Sequence, residues 1–225
     1  MKRKIISTAD GSKTIQLEEW NEQYHSIHGA KQEAEHVFIK HGLLFCIDAI
    51  SKNNKQALSI MEMGFGTGLN AYLTLIASHQ QRQNINYVGI EAFPVASEEL
   101  DQLNYTSLCH PQFETYFHSI HNKGWEEKYQ INNRFWLTKK EIHFNAVHAQ
   151  DDYHLIYFDA FGPRVQPELW EESMFLKMYM ALKTQGVLVT YSAKGSVRRA
   201  MESVGFKVER LPGPPGKREM LRAIK

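Results

Sequence analysis

Three alternating glycines, Gly64, Gly66 and Gly68, follow a short apolar segment and precede a run of helix-forming residues. This order predicts a buried strand, a tight loop and a helix. Glycines in such a loop accept backbone angles that other residues avoid, and they let a ligand lie against the main chain beside a helix N-terminus. The segment therefore predicts a site for a nucleotide-like ligand. A simple tight turn is the alternative.

The chemistry of this loop favours a cationic ligand over a phosphate. Leu69 stands where the Gly-x-Gly-x-x-Gly pattern of dinucleotide-binding folds has its third glycine, and no Gly-Lys-Ser or Gly-Lys-Thr follows. Glu62 precedes the glycines and would repel a phosphate. The pattern Glu-x-Gly-x-Gly-x-Gly resembles the first motif of S-adenosyl-L-methionine-dependent methyltransferases, whose cofactor carries a sulfonium and an ammonium group. We predict that this cofactor binds at Glu62, Gly64, Phe65, Gly66, Thr67, Gly68 and Asn70.

Glu91 ends the next apolar segment, INYVGIE. A carboxylate roughly 20 to 30 residues beyond the glycine loop of a Rossmann-like site accepts hydrogen bonds from both ribose hydroxyls. We therefore predict Glu91 as a cofactor-binding residue. A solvated charge in a loop is the alternative.

Asp159 follows another apolar run and begins the segment Asp-Ala-Phe-Gly-Pro, which resembles the Asp-Pro-Pro-Tyr motif of amino-methylating enzymes. Open α/β sheets bind ligands at the carboxyl edge, where this strand would deliver the carboxylate. Methyl transfer needs an aligned, neutral nucleophile, and an alkyl amine with a pKa of roughly 10 must first lose a proton. A carboxylate could hold that amine and accept the proton. We predict Asp159 as the catalytic residue, with a role as a cap or turn former as the alternative. We predict Phe161 and Pro163 as pocket-shaping residues, with simple loop packing as the alternative.

Histidine pairs along the chain invite comparison with metal ligands. No cysteine cluster accompanies them, and displacement from a sulfonium needs no metal. We predict no metal site at these pairs, which are His25 and His28, His36 and His41, and His118 and His121.

The composition favours a single globular protein. The chain has 225 residues, 43% of them hydrophobic, and a formal net charge of +1. Residues 194–225 hold nine Lys or Arg against three Glu, so the C-terminal end is the basic face. The two cysteines lack paired spacing, the N-terminus lacks a secretory signal, and no segment reaches membrane-spanning length. We expect a cytoplasmic protein that does not associate with membranes.

Alternating strand and helix patterns predict an α/β fold with a mostly parallel, doubly wound sheet of seven strands and an antiparallel edge strand. We expect residues 1–50 to form an N-terminal extension on a domain of residues 51–225. A strand pair is expected around Asp10 and Gly11, two helices separated at Gly42, and mostly helical structure over residues 95–138. Central strands are expected at 58–63, 85–91, 140–147, 154–158 and 187–191, followed by the pair FKVERL and EMLRAI.

Together these features resemble one family, the tRNA 5-methylaminomethyl-2-thiouridine methyltransferases (MnmD), which also form the N-terminal half of bifunctional MnmC. The similarity spans nearly the whole chain. It is carried by NEQYHSIHGAKQEAEHVFIKHGL (21–43), GFGTGLNAYLTL (64–75), YFDAFGPRVQPELW (157–170), YSAKGSVRRAMESVGF (191–206) and PGPPGKREML (212–221).

The resemblance implies a Rossmann-like class I S-adenosyl-L-methionine-dependent enzyme. It would methylate the primary amine of 5-aminomethyl-2-thiouridine at the tRNA wobble position, giving 5-methylaminomethyl-2-thiouridine, after the base is splayed out of its loop. The family also implies that Tyr24, His25, Ser26 and Glu33 line the site. The resemblance further implies that five basic residues face tRNA phosphates: Lys194, Arg198, Arg199, Lys217 and Arg218. Solvated surface charges are the alternative for each of them.

The chain departs from the family pattern in two respects. No flavin oxidase domain follows Lys225, so we expect methylation alone, coupled functionally to other enzymes that make the aminomethyl nucleoside. The predicted third strand lacks the acidic residue that often contacts the adenine; Asn145, His143 and Asp151 are the candidates to replace it. Two rival functions are an aminopropyltransferase resembling spermidine synthase and a tRNA-binding module without catalytic activity.

Overall fold

The chain begins with a small antiparallel sheet. The computed structural model of the protein describes residues 2–50 and 56–225. Strands β1 (Arg3–Ser7) and β2 (Lys13–Leu17) pair across a turn, as predicted, and the short β3 (Glu22–Gln23) adds to β2. Asp10 fixes the turn because its carboxylate accepts hydrogen bonds from Thr8 Oγ1 at 2.8 Å and Ser12 N at 3.0 Å.

A helix over residues 30–50 crosses one face of the central sheet. It consists of α1 (Ala30–Ala34), a π-helical segment (Glu35–Leu44) and α2 (Phe45–Ile50). The predicted break at Gly42 is wrong, because this glycine lies inside the helix where it meets the sheet. A Cβ at Gly42 would lie 3.0 Å from Val189 Cγ2 and 3.2 Å from Tyr157 Cε1, so glycine permits the close approach.

The central sheet is mixed and has eight strands. Five consecutive strands are parallel. An antiparallel hairpin of two strands extends one side of them, and a single antiparallel strand forms the other edge. In spatial order the strands are β10 (Lys207–Pro212), β11 (Glu219–Ile224), β9 (Leu182–Thr190), β8 (Tyr153–Phe158), β4 (Leu58–Met63), β5 (Ile85–Glu91), β7 (Phe135–Glu141) and β6 (Lys128–Asn132). The predicted α/β class is confirmed, whereas the predicted count of seven strands is wrong.

The additional strand is β6, which forms a hairpin with β7 inside the segment predicted to be helical. The expected strand at residues 140–147 is also wrong, since β7 ends at Glu141 and a 3₁₀ turn, Phe144–Ala146, follows. Phe135, Leu137 and Lys139 are buried at alternate positions, which is the period of a strand.

Helices cover both faces of the sheet. One face packs against the helix over residues 30–50, α3 (Leu69–Gln81) and α6 (Glu114–Asn122), and the other packs against α7 (Glu172–Ala181) and α8 (Gly195–Ser203). This three-layer arrangement is that of a doubly wound fold. The helices after α2 are α3 (Leu69–Gln81), α4 (Ser97–Leu100), α5 (Tyr105–Leu108), α6 (Glu114–Asn122), α7 (Glu172–Ala181) and α8 (Gly195–Ser203), with 3₁₀ turns at Pro111–Phe113 and Pro167–Trp170.

The boundary expected between an N-terminal extension and a second unit falls at residues 51–55, which lie outside the described residues, so that division stays a prediction. Within the described parts of the chain, none of the helices has the length and apolar content needed to cross a bilayer.

Candidate active site

A cavity of about 1030 Å³ opens at the carboxyl ends of β4, β5 and β8. The N-terminal sheet, the glycine loop, the segments after β5 and β8, and the β10–β11 loop all contribute to its wall. Fifteen of the residues predicted from the sequence for this site line it: Tyr24, His25, Ser26, Glu33, Gly64, Phe65, Gly66, Thr67, Asn70, Glu91, His143, Asn145, Asp159, Phe161 and Lys217.

The glycine loop turns tightly between β4 and α3. The amides of Gly64 and Phe65 donate to Ile90 O at 3.0 and 2.9 Å, which fastens the loop to the end of β5. Gly64 has a φ of 96°, and a Cβ there would lie 2.5 Å from the carbonyl oxygen of Asp159. Glycine is therefore required at this position both by its backbone angle and by the neighbouring strand end.

Glu91 is fixed against the loop. Its Oε2 accepts a hydrogen bond from Gly66 N at 2.9 Å, and its Oε1 accepts one from Phe93 N at 3.0 Å. Burial raises the pKa of Glu91, while these amide hydrogen bonds and the charge of Arg3 lower it. The carboxylate is thus held at the cavity wall with further lone pairs available to a ligand.

Glu62 does not reach the cavity wall. It is 1% exposed, and its two oxygens accept hydrogen bonds from Asn70 Nδ2 and Tyr87 OH, each at 2.8 Å. Burial, reinforced by the nearby Asp159, raises its pKa well above the ordinary value. Glu62 therefore lies behind Asn70. The expected interaction between Glu62 and a cationic ligand is indirect, with the Asn70 side-chain amide between them.

Asn70 links the two carboxyl groups of the site. Its Nδ2 donates both to Glu62 and, at 2.8 Å, to Asp159 Oδ2. Its Oδ1 is buried and has no hydrogen-bond partner within the described residues. A buried acceptor without a partner is costly, so this oxygen marks a place where a ligand N–H group fits.

Asp159 follows β8 and presents its carboxyl group to the cavity. Its amide donates to Met63 O at 2.9 Å, which ties the strand end to β4. Burial and then the negative charge of Glu33 raise its pKa to about 7, against the lowering effects of the Asn70 hydrogen bond and of Lys217. A carboxyl group with this pKa exchanges a proton readily near neutral pH.

An aromatic wall stands beside Asp159. Phe161 packs edge-to-face against Tyr24 and Trp20, with ring centroids 5.1 and 5.7 Å apart. The Trp170 indole donates to Phe161 O at 2.8 Å and holds the segment after β8 in place. These rings give the cavity flat apolar surfaces suited to a planar substrate.

Lys217 turns into the cavity, unlike the other basic residues expected to face tRNA. Its Nζ pairs with Glu33 Oε1 and lies 3.8 Å from the centroid of the Tyr191 ring. Glu33 also accepts a hydrogen bond from Ser26 N at 2.8 Å. Beside this pair, His25 exchanges a hydrogen bond with Thr14 Oγ1, and burial lowers its pKa to about 4.

Most of the other predicted residues lie outside the cavity wall. Gly68 is the N-cap of α3, and Pro163 lies just past the cavity-lining Gly162. Lys194, Arg199 and Arg218 are exposed, and Arg198 pairs with Glu202 at 3.5 Å. Of the three candidates for an adenine contact, His143 and Asn145 line the cavity, whereas Asp151 pairs with Lys225 at 2.8 Å and does not.

Sequence reasoning missed several cavity residues, among them Arg3, Trp20 and Tyr191. Trp20 and Arg3 come from the polar N-terminal segment, where no periodic pattern indicated a role. Within residues 2–50 and 56–225 there is no group of three or more His, Cys, Asp or Glu side chains able to hold a metal ion.

A family model described as S-adenosyl-L-methionine-dependent methyltransferase matches residues 106–225, more than half of the chain. The chain belongs to this family.

This methyltransferase is similar to two curated proteins, each named tRNA 5-methylaminomethyl-2-thiouridine biosynthesis bifunctional protein MnmC. The Marinomonas sp. protein is 29% identical over 216 residues, covering 90% of the chain and 31% of the relative. The Hydrogenovibrio crunogenus protein is 26% identical over 212 residues, covering 89% and 31%. The methyltransferase therefore spans about a third of the length of these relatives.

Two solved structures share its fold. MNMC2 from Aquifex aeolicus superposes with a TM-score of 0.77 at 24% identity, over 99% of this chain and 69% of that one. A spermidine synthase from Thermotoga maritima gives a TM-score of 0.55 at 11% identity, over 99% and 68%. These likenesses confirm the expected class I methyltransferase-like fold.

The residues around the glycine loop fit S-adenosyl-L-methionine, the cofactor of this family. Gly64, Phe65, Gly66 and Thr67 line the cavity, so the loop offers its main chain to a ligand. Around it stand the unpartnered Asn70 Oδ1 and the carboxylate of Glu91, which are acceptors suited to ammonium and hydroxyl groups. This acceptor-rich set matches a cationic ligand without phosphates.

Proposed function

We propose that the methyltransferase acts on the primary amine of 5-aminomethyl-2-thiouridine at the tRNA wobble position and produces 5-methylaminomethyl-2-thiouridine. The single observation that carries this proposal is Asp159, a carboxyl group with a pKa of about 7 at the wall of a cofactor-sized cavity. The names of the MnmC relatives, matched over about 90% of this chain, support the same substrate.

The chemistry requires an amine in its neutral form. When bound, S-adenosyl-L-methionine supplies an electrophilic methyl group on a sulfonium. The amine, with an ordinary pKa of roughly 10, enters mostly as ammonium and must lose a proton before its lone pair is free. Asp159 Oδ2 is engaged by Asn70, so the other oxygen, Oδ1, accepts that proton.

The site positions the reacting groups rather than reacting covalently itself. We propose that Glu62, Gly64, Phe65, Gly66, Thr67, Gly68, Asn70 and Glu91 bind the cofactor, with Glu62 acting through Asn70. The Trp20, Tyr24 and Phe161 rings would hold the flat base, with His25 and Ser26 around it and Pro163 shaping the loop that carries Phe161. Alignment of two bound substrates supplies much of the rate enhancement in such a reaction.

Removal of the Glu91 carboxylate should weaken cofactor binding. We expect Glu91→Ala to raise the Kd for S-adenosyl-L-methionine about 10- to 100-fold, because hydrogen bonds to a charged group contribute about 1.5–3 kcal/mol. Glu98→Ala, at an exposed position of α4, is the matched control. Isothermal titration calorimetry measures both, and an unchanged Kd for Glu91→Ala would remove this residue from the cofactor site.

The exposed basic residues should bind the tRNA backbone. We expect Arg198→Ala with Arg199→Ala to weaken tRNA binding and to reduce the slope of log K against log[salt] by about 1 for each lost phosphate contact. Cofactor affinity should not change. Lys123→Ala, an exposed lysine near the opposite edge of the sheet, should leave the slope unaltered. A double variant with the wild-type slope would place α8 outside the tRNA interface.

The proposed reaction is tested by incubating the protein with methyl-labelled S-adenosyl-L-methionine and tRNA that carries the aminomethyl nucleoside. We expect label in the wobble nucleoside. A parallel reaction with decarboxylated cofactor and a diamine tests the aminopropyltransferase rival, which the family match does not favour. Aminopropyl transfer without methyl transfer would overturn the proposal, and binding of tRNA without either reaction would indicate a binding module.

A further inference from the structure

A partly buried ion pair lies in the cavity that holds the proposed base. Lys217 approaches from the β10–β11 loop and pairs with Glu33 of α1, whose side chain is only 8% exposed. Both residues line the cavity that holds Asp159. The Lys217 side chain is 30% exposed, so two carboxyl groups and one ammonium group share a space that water reaches only in part. Charges interact more strongly there than in bulk water.

We propose that the Lys217–Glu33 pair is a positioning device that sets how readily Asp159 takes the proton of the substrate amine, and thereby the pH range of methyl transfer. This inference rests on the proposed function. In the proposed mechanism neither member of the pair accepts the proton.

The pair supplies the charges that act on Asp159. Among the described residues, the groups facing it from the surrounding elements are Glu33 of α1, Glu62 of β4, Asn70 of α3, Tyr87 of β5, Tyr191 after β9 and Lys217. Asn70 is uncharged. Burial raises the pKa values of Glu62, Tyr87 and Tyr191 well above their ordinary values, which favours their neutral forms.

His25 faces the pair itself and is neutral near pH 7, because burial lowers its pKa to about 4. The balance at Asp159 thus depends on Glu33, which opposes ionisation of Asp159, and on Lys217, which favours it. The two members act in opposite directions, so removing them one at a time gives effects of opposite sign.

Glu33→Gln leaves Lys217 as an uncompensated cation beside Asp159. The amide oxygen of glutamine keeps an acceptor for Ser26 N, so the fold around α1 is preserved. We expect the acid limb of the kcat–pH profile to move at least about half a unit towards lower pH. Adding Lys217→Met to this variant should move the limb back towards the wild-type position.

Lys217→Met alone leaves Glu33 uncompensated and should move the limb the other way, towards higher pH. Glu35→Gln and Lys207→Met, at exposed positions on the same helix and the same hairpin, are the matched controls and should leave the limb in place. Thermal unfolding of each variant checks that the fold is intact.

A second measurement does not depend on turnover. The pKa of the Asp159 carboxyl group is followed by NMR of ¹³C-labelled aspartate, with Asp159→Asn giving the assignment, and should shift in the same directions in the folded variants. Shifts of opposite sign in both measurements support the inference. The inference would be overturned if the acid limbs of the variants coincided with that of the wild type, or if the limb moved in the same direction in both single variants. Lack of methyl transfer by the wild type would instead count against the proposed function.

Discussion

Asp159→Asn is expected to lower kcat for methyl transfer roughly 10²- to 10⁴-fold, the usual contribution of a positioned acid or base. The amide cannot accept the proton of the substrate ammonium. Its oxygen can still accept the hydrogen bond from Asn70, so the cavity wall keeps its shape. We expect the Kd for S-adenosyl-L-methionine to stay within a few-fold of the wild-type value, as measured by calorimetry.

The same residue sets the pH dependence of the reaction. The wild-type kcat should fall as the pH drops through about 7, since Asp159 is then protonated and unable to accept a proton. The residual activity of Asp159→Asn should not fall in this way at acid pH. Asp152 is an exposed aspartate at the opposite end of β8, and Asp152→Asn should behave like the wild type. An unchanged kcat for Asp159→Asn would contradict its role as the base.

Gly64→Ala should abolish measurable cofactor binding. The added Cβ would lie 2.5 Å from the carbonyl oxygen of Asp159, a backbone atom that moves only together with the end of β8. The methyl group would thus displace both the loop and the proposed base. We expect no binding isotherm with S-adenosyl-L-methionine and a clearly lowered Tm.

Gly11→Ala is the control that separates the steric clash expected at Gly64 from the strain of a positive φ, which both glycines have. Gly11 also has a positive φ, 84° against 96° at Gly64, but a Cβ there would meet no atom within 4 Å. Its substitution should cost only the strain of an L-residue in the left-handed region, about 1–2 kcal/mol of stability. Cofactor binding should survive. Equal losses of binding in the two variants would show that the approach of Asp159 to the loop is not what requires glycine.

The parts of the site that the sequence predicts depend on local patterns. A buried strand followed by glycines predicts the loop. Glu91, the last residue of β5, and Asp159, directly after β8, are acidic residues at strand ends and so lie at one edge of the parallel sheet. The spacing alone did not show that Glu62 lies behind Asn70. Its position depends on the Tyr87 hydroxyl, which the neighbouring strand supplies.

The parts that sequence reasoning missed depend on contacts between distant segments. Lys217 and Glu33 are separated by 184 positions, so nothing in the basic C-terminal run indicated that one lysine turns inward. Gly42 looked like a helix break because nothing near it in the sequence requires glycine. The requirement comes from Val189 on strand β9, against which the helix packs closely at this residue. The β6–β7 hairpin was also missed. The buried positions of β7 alternate but include the polar Lys139, so the sequence does not show a plain alternation of apolar and polar residues.

The most direct test of the account is nucleoside analysis of tRNA from cells that lack this methyltransferase. We predict that 5-methylaminomethyl-2-thiouridine disappears and 5-aminomethyl-2-thiouridine accumulates, and that the wild-type chain, but not Asp159→Asn, restores the methylated nucleoside. Unchanged methylated nucleoside in those cells, or its full recovery with Asp159→Asn, would contradict the account.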